Sequence, residues 1–202
     1  GLPTDDTPRA GEPVLGQPRQ VIEVYPNEPS EGAGPEQIVR GFLLANVSFN
    51  DSHEVARSYL TDDLATEWVP TSNILIYTGN YALTTPLGGT VTAEVTVQGA
   101  LDADGRLTQA REDTMKAEQF GLTQVDGQWR INSFPEEFGL WLSDTEFTLQ
   151  YDTAAINYVS TSGDAFVPET RWFSRDDGLP TALARALLAP VPPYLDGAVV
   201  TG

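Results

Sequence analysis

Between Val91 and Gln98 the chain alternates strictly: Val91, Ala93, Val95 and Val97 are apolar, while Thr92, Glu94, Thr96 and Gln98 are polar. Successive side chains of a strand point to opposite faces, so this period of two predicts a strand with one buried row and one wet row. Such a strand belongs in an antiparallel sheet with one face on a core. Ile74-Leu75-Ile76-Tyr77 and Tyr81-Ala82-Leu83 read as further strand segments. Asp104-Gly105 and Asp126-Gly127 are hairpin signals, the second joining Phe120–Val125 to Gln128–Ile131.

Upstream the period changes. Pro35 suits a first helical turn, and Ile38, Phe42, Ala45 and Phe49 fall at spacings of four, three and four, which predicts one buried helix face. Ser52 is the expected cap of a second helix carrying Val55, Ala56, Tyr59 and Leu60, and Leu64 and Trp68 continue in a short third piece. Helices followed by a meander give an α+β domain over residues 35–135, in which cone-like helices pack on a curved antiparallel sheet. Residues 136–150 read as a connector in which Ser143-Asp144-Thr145-Glu146 is a helix start or capped turn leading to Phe147 and Leu149.

A second unit is expected over residues 151–202. Ala155–Val159 and Ala165–Pro168 flank Ser162-Gly163-Asp164 as a hairpin that Arg171-Trp172-Phe173 extends. Pro180 opens a helix with Leu183, Leu187 and Leu188 on one face, Pro190 stops it, and Ala198-Val199-Val200 begins another strand. A hairpin and one helix bury too little surface for a full domain, so this unit is expected to be partial.

Residues 1–34 hold six of the 15 prolines and a single aromatic, Tyr25, a composition that cannot offset chain entropy. They read as a flexible tether in which Val21–Tyr25 is a candidate edge strand. The first residue is Gly1, not Met, so the sequence is expected to be a processed or truncated piece of something longer. Lys116 is the only lysine beside ten arginines, the usage of a GC-rich genome.

The chemistry is bounded by what is missing from the 202 residues. Cysteine is absent, which removes disulfides, thiolate metal sites and cysteine nucleophiles. The one histidine, His53, brings no partner set for zinc or a serine triad and is expected to face solvent or cap its helix. Asp102-Ala103-Asp104-Gly105 invites a calcium-loop reading that fails in detail, because Arg106 occupies a ligand position and strands flank the loop. Asp62-Asp63, Glu136-Glu137 and Asp176-Asp177 are expected on solvated loops. The formal charge of −18 opposes a polyanion, so nucleic acid is not an expected partner. No apolar run approaches the roughly 18–20 residues that cross a bilayer. No cofactor is expected.

Two readings of a ligand or catalytic kind stay open beside a protein-binding one. A cone-shaped pocket needs an acid beside a tyrosine, and Glu94 with Tyr59, Tyr77 and Tyr81 are the candidates; Glu94, however, belongs to the wet row. A cell-wall-binding surface needs exposed aromatics, for which Trp141 and Trp172 are candidates against ordinary packing.

The sequence resembles the LpqB lipoprotein family of actinobacteria. The resemblance rests on Gly1-Leu2-Pro3-Thr4, Gln128-Trp129-Arg130-Ile131, Val167-Pro168-Glu169-Thr170-Arg171-Trp172, and Thr181-Ala182-Leu183 running into Leu187-Leu188-Ala189-Pro190. It implies a lipid-modified cysteine upstream of Gly1, a nuclear-transport-factor-like cone over 36–135, and the start of a GerMN domain at 151–202. A C-terminal β-propeller of the family would lie beyond this chain. The resemblance further implies a non-enzymatic lipoprotein, lipid-anchored on the extracytoplasmic face of the cell membrane. There it would contact the extracytoplasmic part of the sensor histidine kinase MtrB and modulate MtrA–MtrB signalling. No site residue carries over.

Overall fold

The computed structural model describes residues 26–48, 52–86, 88–175 and 199. The expected edge strand at Val21–Tyr25, the helix opened by Pro180, Phe49 and the Asp176-Asp177 pair lie outside the described residues.

Three short helices come first: α1 (Pro35–Ala45), α2 (Glu54–Arg57) and α3 (Asp62–Glu67). Pro35 stands in the first turn of α1, and the Gln37 side chain accepts the Gly34 N–H at 3.0 Å. Ile38, Phe42 and Ala45 are buried, as the spacing predicts, and Val39 and Leu43 widen that face. At α2 the expectation of a Ser52 cap is corrected. Ser52 and His53 both adopt left-handed backbone, with φ of 55° and 62°, so the chain turns over two residues and His53 takes the cap position. The His53 ring does not face solvent; it is 6% exposed and meets Trp68 edge-on at 5.6 Å.

Seven strands follow: β1 (Asn73–Thr84), β2 (Thr90–Asp102), β3 (Leu107–Val125), β4 (Gln128–Ser133), β5 (Leu140–Ser143), β6 (Tyr151–Val159) and β7 (Phe166–Ser174), with α4 (Asp144–Gln150) between β5 and β6. The first five make one strongly curled half-barrel sheet in the order β4-β3-β2-β1-β5, and β6 pairs only with β7. The fold is therefore mixed α+β and mostly strand. Asp126 and Gly127 carry φ of 51° and 77°, the two left-handed positions of a type I′ turn, and close the β3–β4 hairpin where the sequence predicts it.

The predicted alternation holds in β2. Val91, Ala93 and Val95 are buried and Glu94 and Gln98 are exposed. It then changes face. Tyr77 pairs with Val97 and Ile76 with Gly99, so Gln98 is an extra residue and the odd-numbered row beyond it turns to the opposite side of the sheet. Val97 is only half-buried, and Leu101 buries on the second face.

Residues 136–150, read as a connector, include β5 and α4. β5 pairs in parallel with β1, Ile74 to Leu140 through Tyr77 to Ser143, and its Leu140, Trp141 and Leu142 are buried. The expected helix start is present, with Ser143 as the cap of α4. Ser143 Oγ accepts the Glu146 N–H at 3.2 Å and the Glu146 carboxylate accepts the Ser143 N–H at 2.7 Å. Ser143→Ala removes half of that reciprocal box and is expected to lower stability by about 1 kcal/mol, read as a shift in urea midpoint. An unchanged midpoint would show that α4 is held by packing alone.

Both edges of the curled sheet are partly covered. Ile131 of β4 donates to Tyr59 O and accepts from Thr61 N, each at 2.9 Å. Asn46, fully buried after α1, donates to Leu43 O at 2.6 Å and accepts the Trp141 N–H of β5 at 3.3 Å. The tether reading needs trimming at its end. Asn27 O accepts the Tyr59 hydroxyl at 2.7 Å and Gly32 N–H donates to the Gln128 side chain at 3.0 Å, so this end of the segment is fastened to the fold.

Candidate functional site

The concave face of the sheet is the place to look for a cone pocket, and it is filled. Phe42 of α1 sits 5.3 Å from Trp68 and from Phe134, Phe134 stacks on Phe138 at 4.6 Å, and Phe120 meets Phe138 at 5.3 Å and Trp141 at 6.0 Å. The chain between β4 and β5 supplies Phe134 and Phe138, crossing the interior to reach the β1 edge. Trp68 Nε1 donates to Gly139 O at 2.9 Å and pins that crossing.

The acid and tyrosine candidates are not brought together. Glu94 is exposed, whereas Tyr59 and Tyr77 are buried and Tyr81 half-buried. Asp62, Asp63, Glu136 and Glu137 are exposed, as expected. Burial raises the Tyr59 phenol above its ordinary value. Burial also raises Tyr77, with Glu146, Tyr81 and Asp144 adding to it, and Tyr81, against the opposing pull of Arg40. For a group whose folded pKa is raised, stabilisation is intact below the unfolded value of about 10 and is lost as pH climbs towards the folded value. Stability is therefore expected to fall through the alkaline range, and less steeply in Tyr77→Phe. Equal slopes of urea midpoint against pH for the two proteins would count against Tyr77 as the source.

Both aromatic candidates are engaged in packing. Trp141 is 3% exposed and part of the interior cluster. Trp172 is half-buried, packs on Phe147 at 4.8 Å, and donates its backbone N–H to Gly105 O at 2.8 Å. Neither is a free platform for a sugar ring.

The failed calcium loop has a different occupant. Asp102 Oδ1 accepts the backbone N–H of Asp104 and of Arg106, both at 2.9 Å, while the Arg106 guanidinium binds the Asp104 carboxylate and the Glu169 carboxylate. No group of three metal-ligating side chains occurs among the described residues. Glu169 and Arg171 lie two apart on β7 and so share a face. Arg171, 0% exposed, binds Glu169 Oε2 through Nε at 2.8 Å and Nη2 at 2.7 Å, the Tyr158 hydroxyl at 2.9 Å and Asp104 O at 3.0 Å. This buried network joins the tip of the β2–β3 hairpin to the β6–β7 hairpin. Gly105, with φ of 79°, makes the join possible: a Cβ there would lie 2.4 Å from Trp172 O. Sequence reading takes Glu169 and Arg171 only as part of a resemblance motif; the available signal is two opposite charges on the hairpin face that also carries Ala154, Ile156, Val167 and Phe173.

Beside this junction lies an open groove of about 720 Å³. Ile76, Gly99 and Leu107 line the second sheet face, Phe147 and Leu149 of α4 and Trp172 of β7 rise beside it, and Glu112 and Asp144 flank it. Its β3 wall is irregular. Thr114 pairs with Val97 and Gln109 with Gly99, so Ala110–Asp113 pair with neither neighbouring strand.

The curled sheet, its filled interior and α4 coincide with a known segment. The family model for the N-terminal domain of lipoprotein LpqB matches residues 28–148. The chain belongs to the LpqB family. Named "Lipoprotein LpqB" are relatives in Cutibacterium acnes, 33% identical over 97% of this chain and 32% of that protein, and in Bifidobacterium longum, 30% identical over 97% and 36%. A third, in Nocardia farcinica, is 30% identical over 98% of this chain and 32% of its own length. The chain thus spans about a third of the LpqB proteins it matches, and these alignments extend past the model's end across the β6–β7 hairpin. No solved structure matches it. Among the described residues no helix is long and apolar enough to cross a membrane.

Proposed function

We propose that this chain is the N-terminal part of a lipid-anchored lipoprotein on the extracytoplasmic face of the cell membrane. There it binds the extracytoplasmic domain of an MtrB-type sensor histidine kinase and modulates envelope signalling. The observation that carries the reading is membership of a family named as lipoproteins, joined to an interior closed by Phe42, Phe120, Phe134 and Phe138. A filled cone recognises through its surface, so the role is binding rather than conversion of a substrate. In this reading the lipid sits on a cysteine upstream of Gly1, and the stretch up to residue 34 is the spacer. Residues 35–135 with β5 form a nuclear-transport-factor-like unit, and 151–202 begin a GerMN-type unit. A tethered domain searches its neighbours at high effective concentration, which lets a modest affinity act.

The test is titration of the full-length lipoprotein against the purified extracytoplasmic domain of the kinase. Saturable binding that this chain reproduces supports the reading. Absence of binding by the full-length protein removes it.

A further inference from the structure

We propose that the groove between β3, α4 and Trp172 is a docking site for a cationic segment of a partner protein carrying one apolar anchor side chain. Three features of the groove select that occupant, and the inference holds whichever protein supplies the segment.

The first is charge. Glu112 and Asp144 flank the groove, none of its described lining residues is basic, and the chain carries −18 overall. An anionic ligand is repelled on approach and an opposite charge is steered in. The second is an apolar seat: Ile76, Leu107, Phe147, Leu149 and Trp172 converge on the groove, and Leu149 remains 37% exposed beside the buried Phe147. A buried anchor ringed by polar groups is how protein segments gain most of their binding energy. The third is backbone. Ala110–Asp113 have no register partner on β2, β4 pairs only with Gly121–Val125 of β3, and the Arg111 carbonyl accepts the Thr114 hydroxyl at 2.7 Å. A segment laid along this irregular stretch would run beside a length of β3 that β4 does not cover, where main-chain bonds can add to side-chain contacts. The open form of the groove suits a segment laid along it better than an enclosed small molecule.

The experiment follows amide and indole resonances of the 15N-labelled chain during titration with a short peptide of lysines and serines around a central leucine. Two controls replace the lysines by glutamate or the leucine by serine. Saturable shifts at the Trp172 indole and at residues 110–113 are expected with the lysine–leucine peptide. No binding is expected with the glutamate version, and at least about tenfold weaker binding with the serine version. Glu112→Lys and Leu149→Glu, both at exposed positions, are each expected to weaken binding at least about tenfold while leaving the rest of the spectrum in place. Shifts spread over the outer acidic surface, equal binding of the leucine and serine peptides, or unchanged affinity in both variants would overturn the proposal. So would the absence of saturable shifts.

Discussion

Arg171→Ala is expected to destabilise the junction by about 3–5 kcal/mol, because it removes one partner of a buried ion pair and leaves the other in place. Arg171 is fully buried and Glu169 is 6% exposed, and the guanidinium makes bonds to Glu169, Tyr158 and Asp104 O together. Arg106 still reaches Glu169 Oε1 at 3.2 Å, which places the expected loss towards the lower end of that range. A domain holds only about 5–15 kcal/mol in all, so the change is large. Local and global openings differ, and the sensitive readout is exchange of the Trp172 amide, whose bond to Gly105 O spans the junction. The double variant Arg171→Leu/Glu169→Leu is expected to recover much of the loss, since an apolar pair leaves no charge without its partner. A loss under about 1 kcal/mol for Arg171→Ala would mean that the pair is solvated in solution.

Phe42→Ala is expected to cost about 3–5 kcal/mol in chemical denaturation, as for other large-to-small changes in a core. Phe42 has 0% exposure and touches the rings of Trp68, Phe134 and Phe138, so its removal opens a void bounded by aromatic faces. Apolar cavities of that kind stay dry and accept small hydrocarbons. Recovery of stability in the presence of benzene would locate the void inside the cone. A cost below about 1 kcal/mol would mean the interior rearranges or is already open, and would reinstate the pocket reading that the filled interior displaced.

The parts of this fold that the sequence makes readable are those with a repeating physical cause. The α1 face, the Val91–Val95 alternation, the Asp126-Gly127 turn, the Ser143 box and the β6–β7 hairpin each follow from a period or a turn residue. What escapes has no such repeat. Leu140-Trp141-Leu142 is buried on both faces and only a few residues long, so no alternation marks it as a strand, and its partner lies far back in the chain. The extra residue Gln98 leaves the odd-numbered pattern intact in sequence while reversing its meaning in space. His53 looks like an exposed cap until the two left-handed residues turn its ring onto Trp68. The groove is assembled from β1, β2, β3, α4 and β7, and no local motif signals such a convergence. Family membership was legible because short matching stretches spread over nearly the whole chain, whereas surface contacts leave no pattern of that kind.

The parallel pairing of β5 with β1 sets an order of events. Residues 140–143 join 74–77 at the far edge from β4, and only the crossing with Phe134 and Phe138 closes the interior. A chain that emerges N-terminus first therefore holds its helices and meander around an unfinished core until this late, non-local contact forms. Such contacts slow folding and prolong the exposure of apolar surface. A chain ending before residue 140 would carry Phe134 and Phe138 without the strand that fixes the far end of their crossing, whereas removal of β6 and β7 would leave the curled sheet's five-strand pairing complete.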